Sequence, residues 1–468
     1  MRVVLCLLLV AACGEVRGTV PNTCTTAVEC LDPAAPFCVN SQCQAACAVA
    51  TDCTDPSAPI CAADGACVGC ESDDQCDAAA PICDSASHAC RGCSEDSECA
   101  GGVCIEADGT CVGDADVAFV TMSGTDTAPC TRAAPCDTIG FAIANLGTRT
   151  VIHILGGTLS TPPVALSGTL VIDGEDTTLG VGSQSTFSIT GPANIIIEGV
   201  RMTSPPVAAA PVPAVQVTGP GAKVVFENVD INGNNGLALR GVTGADMTLL
   251  RSHVGTLAAT TANTVLCENS RLTIDRSVFE TSKVEDNNTK CDVRVTRTRF
   301  ESNRDGSVQL SAGQLVMENN LIIHRDGFND SVFAFGMNAG SVIRFNTFIN
   351  TTALPSDGAA LGCDASVSVT SNIFAYNSGH PITGGACAPR FSVFDDVSTT
   401  SQGTGNQVTG IDTIFVNRAG GDFHLSAGSK AREGAEAGQE TMVTTDFEGS
   451  PRPNPAGSIS DSGAFEAP

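Results

Sequence analysis

A short pattern of apolar and polar positions recurs through the second half of the chain. It reads apolar-x-apolar-x-x-(Asn, Ser or Thr)-x-apolar, as in Leu272, Ile274, Ser277 and Phe279. The alternation predicts a strand with one buried face, and the polar residue followed by another apolar position predicts a bend into a second strand. The polar positions of six copies are Ser252, Ser277, Thr298, Asn320, Asn346 and Asn372.

These copies recur every 24 residues on average. A unit of this length cannot bury its apolar face alone, but stacked copies bury each other, which predicts a parallel β-solenoid. Residues 150–425 leave room for roughly eleven such coils. The segment 139–146 has helical spacing and is expected to cap the open end of the solenoid.

The N-terminal part of the chain carries a different repeat, which is built on cysteine. Sixteen of the 24 cysteines fall between residues 24 and 111, in units of 23 residues. Units so short cannot bury a stabilising core, so we expect disulfides within each unit, in a pairing that the sequence does not determine. The units begin at Cys24, Cys47, Cys70 and Cys93.

Two C-x2-C pairs in this array imitate a zinc ribbon. They are Cys67 with Cys70 and Cys90 with Cys93, and a zinc ribbon uses two such pairs as its ligands. Each pair is the last cysteine of one unit beside the first of the next. This placement favours disulfides over a metal site.

The first residues have the pattern of an export signal. Arg2 precedes a short apolar run, and Val10-Ala11-Ala12-Cys13 then resembles the lipobox of bacterial lipoproteins, whose cysteine is lipidated and becomes the new N-terminus. The run is shorter than the ~18 residues of a membrane-spanning helix, and a plain secretory signal is the alternative. Removing Cys6 and assigning Cys13 to lipid leaves 22 cysteines, an even number that suits disulfides in an exported chain.

Three further cysteine pairs lie in or just before the solenoid. The members of two pairs are 24 residues apart, which is one coil. One coil returns the chain over itself at ~4.8 Å, inside the ~4.4–6.8 Å Cα separation of a disulfide. The predicted bonds are Cys130–Cys136, Cys267–Cys291 and Cys363–Cys387.

Several segments resemble a known family. "APCTRAAPCDTIGFAIANL" followed by "VIHILGGTL" is similar to the opening of bacterial right-handed parallel β-helix proteins of the pectate-lyase-like superfamily, and "RFNTFINTTA" and "VTSNIFAYNSG" look like their coil signature. The stretch from "GNQVTGIDTIFVNRAGGDFHLSAGSKAREG" to "DFEGSPRPNPAGSISDSGAFE" resembles the C-terminal region of choice-of-anchor Q proteins. The resemblance covers about residues 117–466 and implies a fold rather than an activity, because the superfamily includes lyases, hydrolases and adhesins.

Together these patterns predict an all-β chain, a right-handed parallel β-helix (solenoid) with an N-terminal disulfide-rich repeat region. The expected divisions are a lipoprotein signal peptide (1–12), a tether (13–23), four disulfide-rich repeats (24–113), the β-helix (114–425) and its C-terminal tail (426–468).

Charge limits the choice of partners. The chain has 24 basic and 51 acidic residues, a net charge of −27. Phosphate backbones repel such a surface, so no nucleic acid partner is expected. Acidic segments such as Asp173–Thr178 raise the question of calcium, but none matches a complete calcium-binding loop. We expect no cofactor, with calcium left open.

No complete catalytic pattern appears in the sequence. Asp395 and Asp396 form an adjacent carboxylate pair near a predicted strand end, and a β-helix hydrolase would need carboxylates about 5–10 Å apart. The further segments of the polygalacturonase pattern do not accompany them. A lyase would need a Lys or Arg base beside clustered carboxylates on one sheet, which the sequence does not clearly show. We therefore assign no catalytic residue and no metal ligand.

Arginines precede the bend residue in three consecutive coils. Guanidinium groups stacked ~5 Å apart repel one another unless an anion or acidic neighbours relieve them. A sulfate- or carboxylate-bearing glycan is one such anion, and pairing with acids such as Asp275, Glu280 and Glu301 is the alternative. The absence of Trp and the single Tyr argue against aromatic platforms for sugars. The candidate ligand-binding residues are Arg251, Arg276 and Arg297.

Asparagine occupies the bend itself in several coils. Asn320, Asn346 and Asn372, with Asn228 earlier, are either ligands or members of a structural ladder. We favour the ladder, in which stacked amides bond the backbone of the neighbouring coil.

These observations predict an exported protein, lipid-anchored through Cys13 to the bacterial cell envelope, at the outer membrane or cell surface. No apolar anchor follows the C-terminal tail, and the lipid is expected to take that role. The β-helix is predicted to be non-catalytic and to act in adhesion, polysaccharide binding or envelope structure, with an extracellular polysaccharide or another cell surface as partner. The alternative is a polysaccharide lyase or glycoside hydrolase acting on an acidic extracellular glycan.

Overall fold

The chain divides into two compact units between Gly113 and Asp114. No helix among the described residues is long and apolar enough to cross a membrane. The computed structural model describes residues 37–39, 42–44, 47, 49–53, 55–127, 129–160, 163–180, 184–204, 212–233, 236–255, 263–301, 306–324, 331–350, 359–375, 381–383, 387–395 and 403–467.

The N-terminal unit consists of short antiparallel hairpins, one for each cysteine repeat. Single turns of 3-10 helix lie at Ala50–Asp52, Asp73–Gln75 and Asp96–Glu98. The hairpins pair Phe37–Val39 with Gln42–Gln44, Ile60–Cys61 with Cys67–Val68, Ile82–Asp84 with Ala89–Arg91, and Gly102–Ile105 with Thr110–Gly113.

In the second, third and fourth repeats, disulfides tie the hairpin in the pattern first to third and second to fourth cysteine. Cys67 and Cys70 bond Cys53 and Cys83, in two different repeats, so this C-x2-C pair is held by disulfides and not by zinc. Cys24 and Cys30 of the first repeat lie outside the described residues. The bonds are Cys47–Cys61, Cys53–Cys67, Cys70–Cys83, Cys76–Cys90, Cys93–Cys104 and Cys99–Cys111.

The second unit is a parallel β-helix, and the predicted all-β fold with a disulfide-rich N-terminal region is confirmed. Each coil passes through three parallel sheets, named A, B and C in the order in which a coil visits them. In the described residues, ten coils between 151 and 383 contribute to all three sheets. Partial passes precede and follow these coils, so the number is close to the roughly eleven that the sequence predicts.

Two long strands, Val164–Gly180 and Phe187–Thr203, turn two corners and belong to all three sheets. The other strands of sheet A are Val117–Val120, Val151–Ile154, Ala222–Glu227, Asp246–Leu250, Ser270–Asp275, Cys291–Thr296, Leu315–Glu318, Ser341–Arg344 and Val367–Thr370. Those of sheet B are Thr158–Ser160, Asp230–Asn232, His253–Gly255, Val278–Glu280, Arg299–Glu301, Leu321–His324, Thr347–Asn350, Ile373–Ala375, Val393–Phe394 and Gln407–Val408. Those of sheet C are Val215–Thr218, Leu237–Val242, Asn263–Glu268, Ser282–Glu285, Val308–Leu310, Val332–Ala334, Leu361–Cys363 and Ile382–Thr383.

The interior is filled by columns of apolar side chains in register. In sheet B the rings of Phe279 and Phe300 have centroids 5.0 Å apart, and Phe374 stacks on Phe348 and Phe394 at the same distance. All five rings are fully buried. Such stacks add to the free energy of burying the rings, so each coil stabilises its neighbours.

The corner between sheets A and B depends on one left-handed residue per coil. Its φ lies between 46° and 57°, where a side chain is disfavoured and a chain can reverse direction sharply. The column of these residues is Asn228, Arg251, Arg276, Arg297, Asn319, Phe345, Ser371 and Phe391.

The next residue in each coil forms a hydrogen-bonded ladder. The backbone N–H of Asn320 donates to Oδ1 of Asn346 at 3.0 Å, and that of Asn346 donates to Oδ1 of Asn372 at 2.9 Å. Nδ2 of Asn346 also donates to the carbonyls of Met317 and Arg344. The structural ladder is therefore present, but Asn228 belongs to the left-handed column, and Val229 takes the ladder position beside Ser252.

A helix, Ile139–Ala144, lies at the first coils. Oγ1 of Thr138 accepts a hydrogen bond from the backbone N–H of Phe141 at 3.2 Å, which caps the helix. Ile139 and Ala142 are buried in the main apolar core. The helix therefore covers apolar side chains that the first coil would otherwise expose.

The C-terminal segment, residues 411–467, folds back along the outside of the β-helix. It contains the hairpin Phe415–Asn417 with Asp422–Leu425 and the 3-10 turns Ile411–Thr413, Arg418–Gly420 and Gln439–Thr441. Its apolar residues bury the outer face of sheet B in one cluster: Leu321, Ile323, Ile349, Ile373, Ala375, Val393, Ile414, Phe415, Phe423, Leu425, Ala431, Ala464, Phe465 and Ala467.

The C-terminal segment also covers part of the A–B corner. Nδ2 of Asn319 donates to the carbonyl of Thr445 at 2.6 Å, and the backbone N–H of Gly463 donates to the carbonyl of Ser371 at 2.8 Å. Phe345, a left-handed residue, is fully buried with Arg452 4.3 Å above its ring. The left-handed column therefore carries exposed or half-exposed arginines where the corner faces solvent, and Asn319, Phe345 and Ser371 where the segment lies over it.

Candidate functional site

The outer face of sheet C carries a row of polar and aromatic side chains, which we call the sheet C row. The parallel register aligns one residue from each successive coil, and neighbouring coils are about 4.8 Å apart. The row is Gln216, Arg240, Leu266, Glu285, Gln309 and Phe333.

One end of the row is fixed by a charged network. Nε of Arg240 donates to Oε2 of Glu268 at 2.7 Å, and Nδ2 of Asn287 donates to Oε1 at 2.9 Å. Burial raises the pKa of Glu268, but the hydrogen bonds from Asn287 and Arg240 outweigh it, so this pKa lies below its ordinary value. The carboxylate stays ionised at neutral pH and holds the guanidinium of Arg240 in place.

Lys283 lies beside the middle of the row. Its Nζ is 2.9 Å from Oε2 of Glu285 and donates to Oε1 of Gln309 at 3.5 Å. The Lys283 side chain is only 17% exposed, so its stem packs against the sheet while its ammonium group reaches the row. The arrangement offers an ammonium group, a carboxylate and an amide within neighbouring coils.

An exposed aromatic pair lies next to this polar group. Phe333 is 39% exposed, and its ring centroid is 4.5 Å from that of Phe335. Phe333 stands in register with Gln309 of the preceding coil. An exposed aromatic surface beside convergent polar groups is the usual composition of a binding site for small or extended polar ligands.

This row was not predicted from the sequence. The absence of Trp and the single Tyr argued against an aromatic platform, whereas Phe333 and Phe335 form an aromatic pair in which Phe333 is exposed. The signal in the sequence was the tripeptide Phe333-Ala334-Phe335, in which alternation places two aromatic side chains on one face of a strand.

The predicted arginine column lies at the A–B corner, away from sheet C. Arg251 is in an ion pair with the fully buried Glu227. Arg297 binds Asp275 with two nitrogens, at 2.9 and 2.7 Å, and Nε of Arg276 is 3.8 Å from the same carboxylate. Asp275 is thus shared by two arginines, and an anion-binding role of the column stays a prediction.

The two other proposed acidic partners face different side chains. Oε2 of Glu280 lies 3.6 Å from Nε2 of His253, and Oε2 of Glu301 lies 2.8 Å from Nε of Arg299. The hydrogen bond with Asp230 raises the pKa of His253 more than burial lowers it, so the net shift is upward. These acids therefore balance charge on sheet B rather than at the corner.

The remaining predicted residues fall in several places. Asp395 directly follows the strand Val393–Phe394 of sheet B and donates its N–H to the carbonyl of Phe374, whereas Asp396 lies outside the described residues. Cys13 also lies outside them. The half-cystines are joined as Cys130–Cys136, Cys267–Cys291 and Cys363–Cys387, with Cα separations of 4.9, 5.7 and 5.3 Å.

Comparison with known proteins yields likeness in fold only. No family model and no curated protein matches the chain. Among solved structures, the chain is similar to pectate lyase Pel9A, with 15% identity and a TM-score of 0.46 over 75% of this chain and 96% of the other. It is also similar to pectin methylesterase PemA from Erwinia chrysanthemi, with 12% identity and a TM-score of 0.29 over 47% of this chain and 80% of the other. At these values no activity transfers, and the β-helix assignment rests on the strand pairing itself.

Proposed function

We propose that the protein is an exported, lipid-anchored component of the bacterial cell surface that binds an extracellular polysaccharide along sheet C without cleaving it. The binding role is adhesion or envelope structure, and the anchor is lipid on Cys13. The signal-like N-terminus and the even cysteine count support export. The parallel sheet supports an extended ligand, since it repeats its side chains at regular steps.

The observation that carries this proposal is the junction of Phe333 and Phe335 with Gln309 and Lys283 on one open face. A sugar ring presents an apolar C–H face and a rim of hydroxyl groups. The aromatic pair suits the face, while the amide and ammonium groups suit the rim. The spacing of coils, about 4.8 Å, is close to the repeat of an extended polysaccharide, so adjacent sugars can meet adjacent coils.

Retention on immobilised polysaccharides tests the proposal. The purified protein is passed over acidic and neutral polysaccharides, and both retention and chain length of the polymer are recorded. We expect retention without shortening, and Phe333→Ala should weaken binding about tenfold, which corresponds to about 1.4 kcal/mol. Lys283→Met should weaken binding of acidic polymers more than of neutral ones.

Matched variants on other sheets serve as controls. Val278→Ala removes an exposed apolar side chain from sheet B, and Lys223→Met removes an exposed lysine from sheet A. Both should bind as the wild type does. Equal losses in these controls, or retention by no polymer, would contradict binding on sheet C.

A second candidate function is cleavage of an acidic polysaccharide. The sequence lacked a clear Lys or Arg beside carboxylates on one sheet, but sheet C brings Lys283 to Glu285 and Arg240 to Glu268. We place binding first because the Lys283 ammonium group is engaged by a carboxylate, which suits a binding group better than a base. Shortening of the polymer that Lys283→Met abolishes would establish the lyase instead.

A further inference from the structure

A groove opens on sheet B beside the edge of the C-terminal segment. Its volume is about 730 Å³, within the range of cavities that hold small ligands. Arg299 and Ile323 line it from sheet B, and Arg418–Gly421 and Phe423 line it from the hairpin of the C-terminal segment. We call it the sheet B groove.

The wall formed by the hairpin is held in place by its own contacts. The rings of Phe415 and Phe423 meet edge to face at 5.7 Å, within the apolar cluster that also contains Ile323. Oδ1 of Asn417 accepts a hydrogen bond from the backbone N–H of Gly420 at 3.0 Å. Gly421 has a φ of 81°, a left-handed conformation that glycine adopts without strain. The hairpin's own contacts therefore hold this wall of the groove in place, and a preorganised wall lowers the cost of binding a ligand.

The charge of the groove is opposite to that of the whole protein. The chain carries a net charge of −27, yet both charged residues that line the groove are arginines. Nε of Arg299 lies 2.8 Å from Glu301, while Arg418 donates to the carbonyl of Asn350 at 3.3 Å and lies 3.8 Å from Asp412. A guanidinium group has five N–H donors, so these contacts engage only part of either side chain.

We propose that the sheet B groove binds an organic carboxylate of the size of one or two sugar rings, such as a uronic acid residue. The two arginines supply planar pairs of N–H donors that match a carboxylate. Phe423, Ile323 and the glycine turn supply a surface on which a ring can lie. The groove shares no residue with the sheet C row, so this proposal stands or falls independently of binding on sheet C.

Titration calorimetry of the full chain tests the proposal. The probes are D-glucuronate, D-glucose, which lacks the carboxylate, and inorganic sulfate, which lacks the ring. We expect glucuronate to bind at least tenfold more tightly than either. Arg418→Met and Arg299→Met should each weaken glucuronate at least tenfold, and Arg418→Lys should fall between the wild type and Arg418→Met because it keeps the charge but loses the planar fork.

Arg201→Met is the matched control. Arg201 lies in the same outward column of sheet B as Arg299, four coils away and outside the groove. It should bind glucuronate as the wild type does. Equal binding of sulfate or glucose, or an equal loss in Arg201→Met, would overturn the proposal.

Hydrogen exchange on the wild-type protein locates the site without any variant. Glucuronate should slow exchange of backbone amides in the hairpin Phe415–Leu425 and leave the strands of sheet C unchanged. Slowing on sheet C alone would overturn the groove as the site while leaving the proposed polysaccharide surface intact.

Discussion

Arg276 shows how a single backbone angle governs the A–B corner. Its φ is 49°, and its side chain is 51% exposed with one loose ion pair to Asp275. A side chain in this conformation costs roughly 1–2 kcal/mol relative to glycine. The corner therefore tolerates arginine but is not stabilised by it. The sequence shows only that charged residues recur at this position, and it gives no sign of the backbone angle.

Replacing Arg276 with glycine should raise the melting temperature. Relief of the left-handed strain is worth about 1 kcal/mol, and little is lost with the exposed side chain. Calorimetry of Arg276→Gly measures the shift. Arg271→Gly, in the regular strand Ser270–Asp275, is the control and should lower the melting temperature, because glycine weakens a strand interior. A fall of equal size in both variants would show that strain is not the dominant effect at the corner.

At the scale of the coil, the polar ladder links neighbouring coils by directional hydrogen bonds, whereas the apolar core only packs their side chains together. Asn346 makes hydrogen bonds to the coil before it and the coil after it through Met317, Asn320 and Asn372. All four side chains are fully buried. The ladder therefore fixes the register between neighbouring coils, since a shift of one residue would leave several buried groups unpaired.

Asn346→Ala should destabilise the β-helix by about 3 kcal/mol. The change leaves the buried backbone N–H of Asn320 and the buried carbonyls of Met317 and Arg344 without these hydrogen-bond partners. Each buried group without a partner costs about 1–3 kcal/mol. Asn194→Ala, at an exposed position of sheet A, should leave the melting temperature within a degree or two of the wild type. A mild effect of Asn346→Ala would mean that water replaces the amide.

Sheets A and B were predictable from the sequence, and sheet C was not. The strands on either side of the bend keep a fixed spacing, so the phrase around Ser277 or Asn346 repeats visibly. Sheet C follows connections of different lengths, so Phe333 and Lys283 fall outside the repeating phrase. The candidate site lies on this sheet, and its side chains come together only through the parallel register.

For the whole molecule, the C-terminal segment is held by a buried ionic network. Nη1 of Arg452 is 3.1 Å from Oε2 of Glu466, and both side chains are fully buried. The same nitrogen donates to the carbonyl of Asp461 at 2.6 Å, and Nη2 donates to that of Gly463 at 3.0 Å. Burial, which exceeds the effect of Arg452, raises the pKa of Glu466 to about 7.

The raised pKa of Glu466 makes the stability of the C-terminal segment depend on pH. The native state holds a proton on Glu466 between about pH 4.5 and 7 that the unfolded chain releases, so the stability that Glu466 contributes falls as pH rises through that window. The pKa of Asp461 is also raised by burial, which adds in the same direction. Glu466→Gln, which cannot ionise, should therefore gain stability relative to the wild type as pH rises from 5 to 8.

The difference in melting temperature between variant and wild type at pH 5 and pH 8 measures this effect. The contributions of groups such as Glu98 are the same in both proteins and cancel in this difference. The hydrogen bond from Arg91 lowers the pKa of Glu98 to about 2, so Glu98 affects stability only at lower pH. Asp412→Asn, at an exposed carboxylate of the same segment, is the matched control. If the difference in melting temperature between Glu466→Gln and the wild type were the same at both pH values, Glu466 would not be the group that holds this proton.

The fold-back of the C-terminal segment also sets an order on biosynthesis. Leu321, Ile323, Ile349 and Ile373 are synthesised before the residues of 411–467 that cover them. Without residues 411–467, these apolar side chains would form an exposed apolar strip along sheet B, a surface prone to self-association. The outer face of sheet B is therefore protected only once residues 411–467 have folded onto it, which links the folding of this segment to protection of the coils beneath it against aggregation.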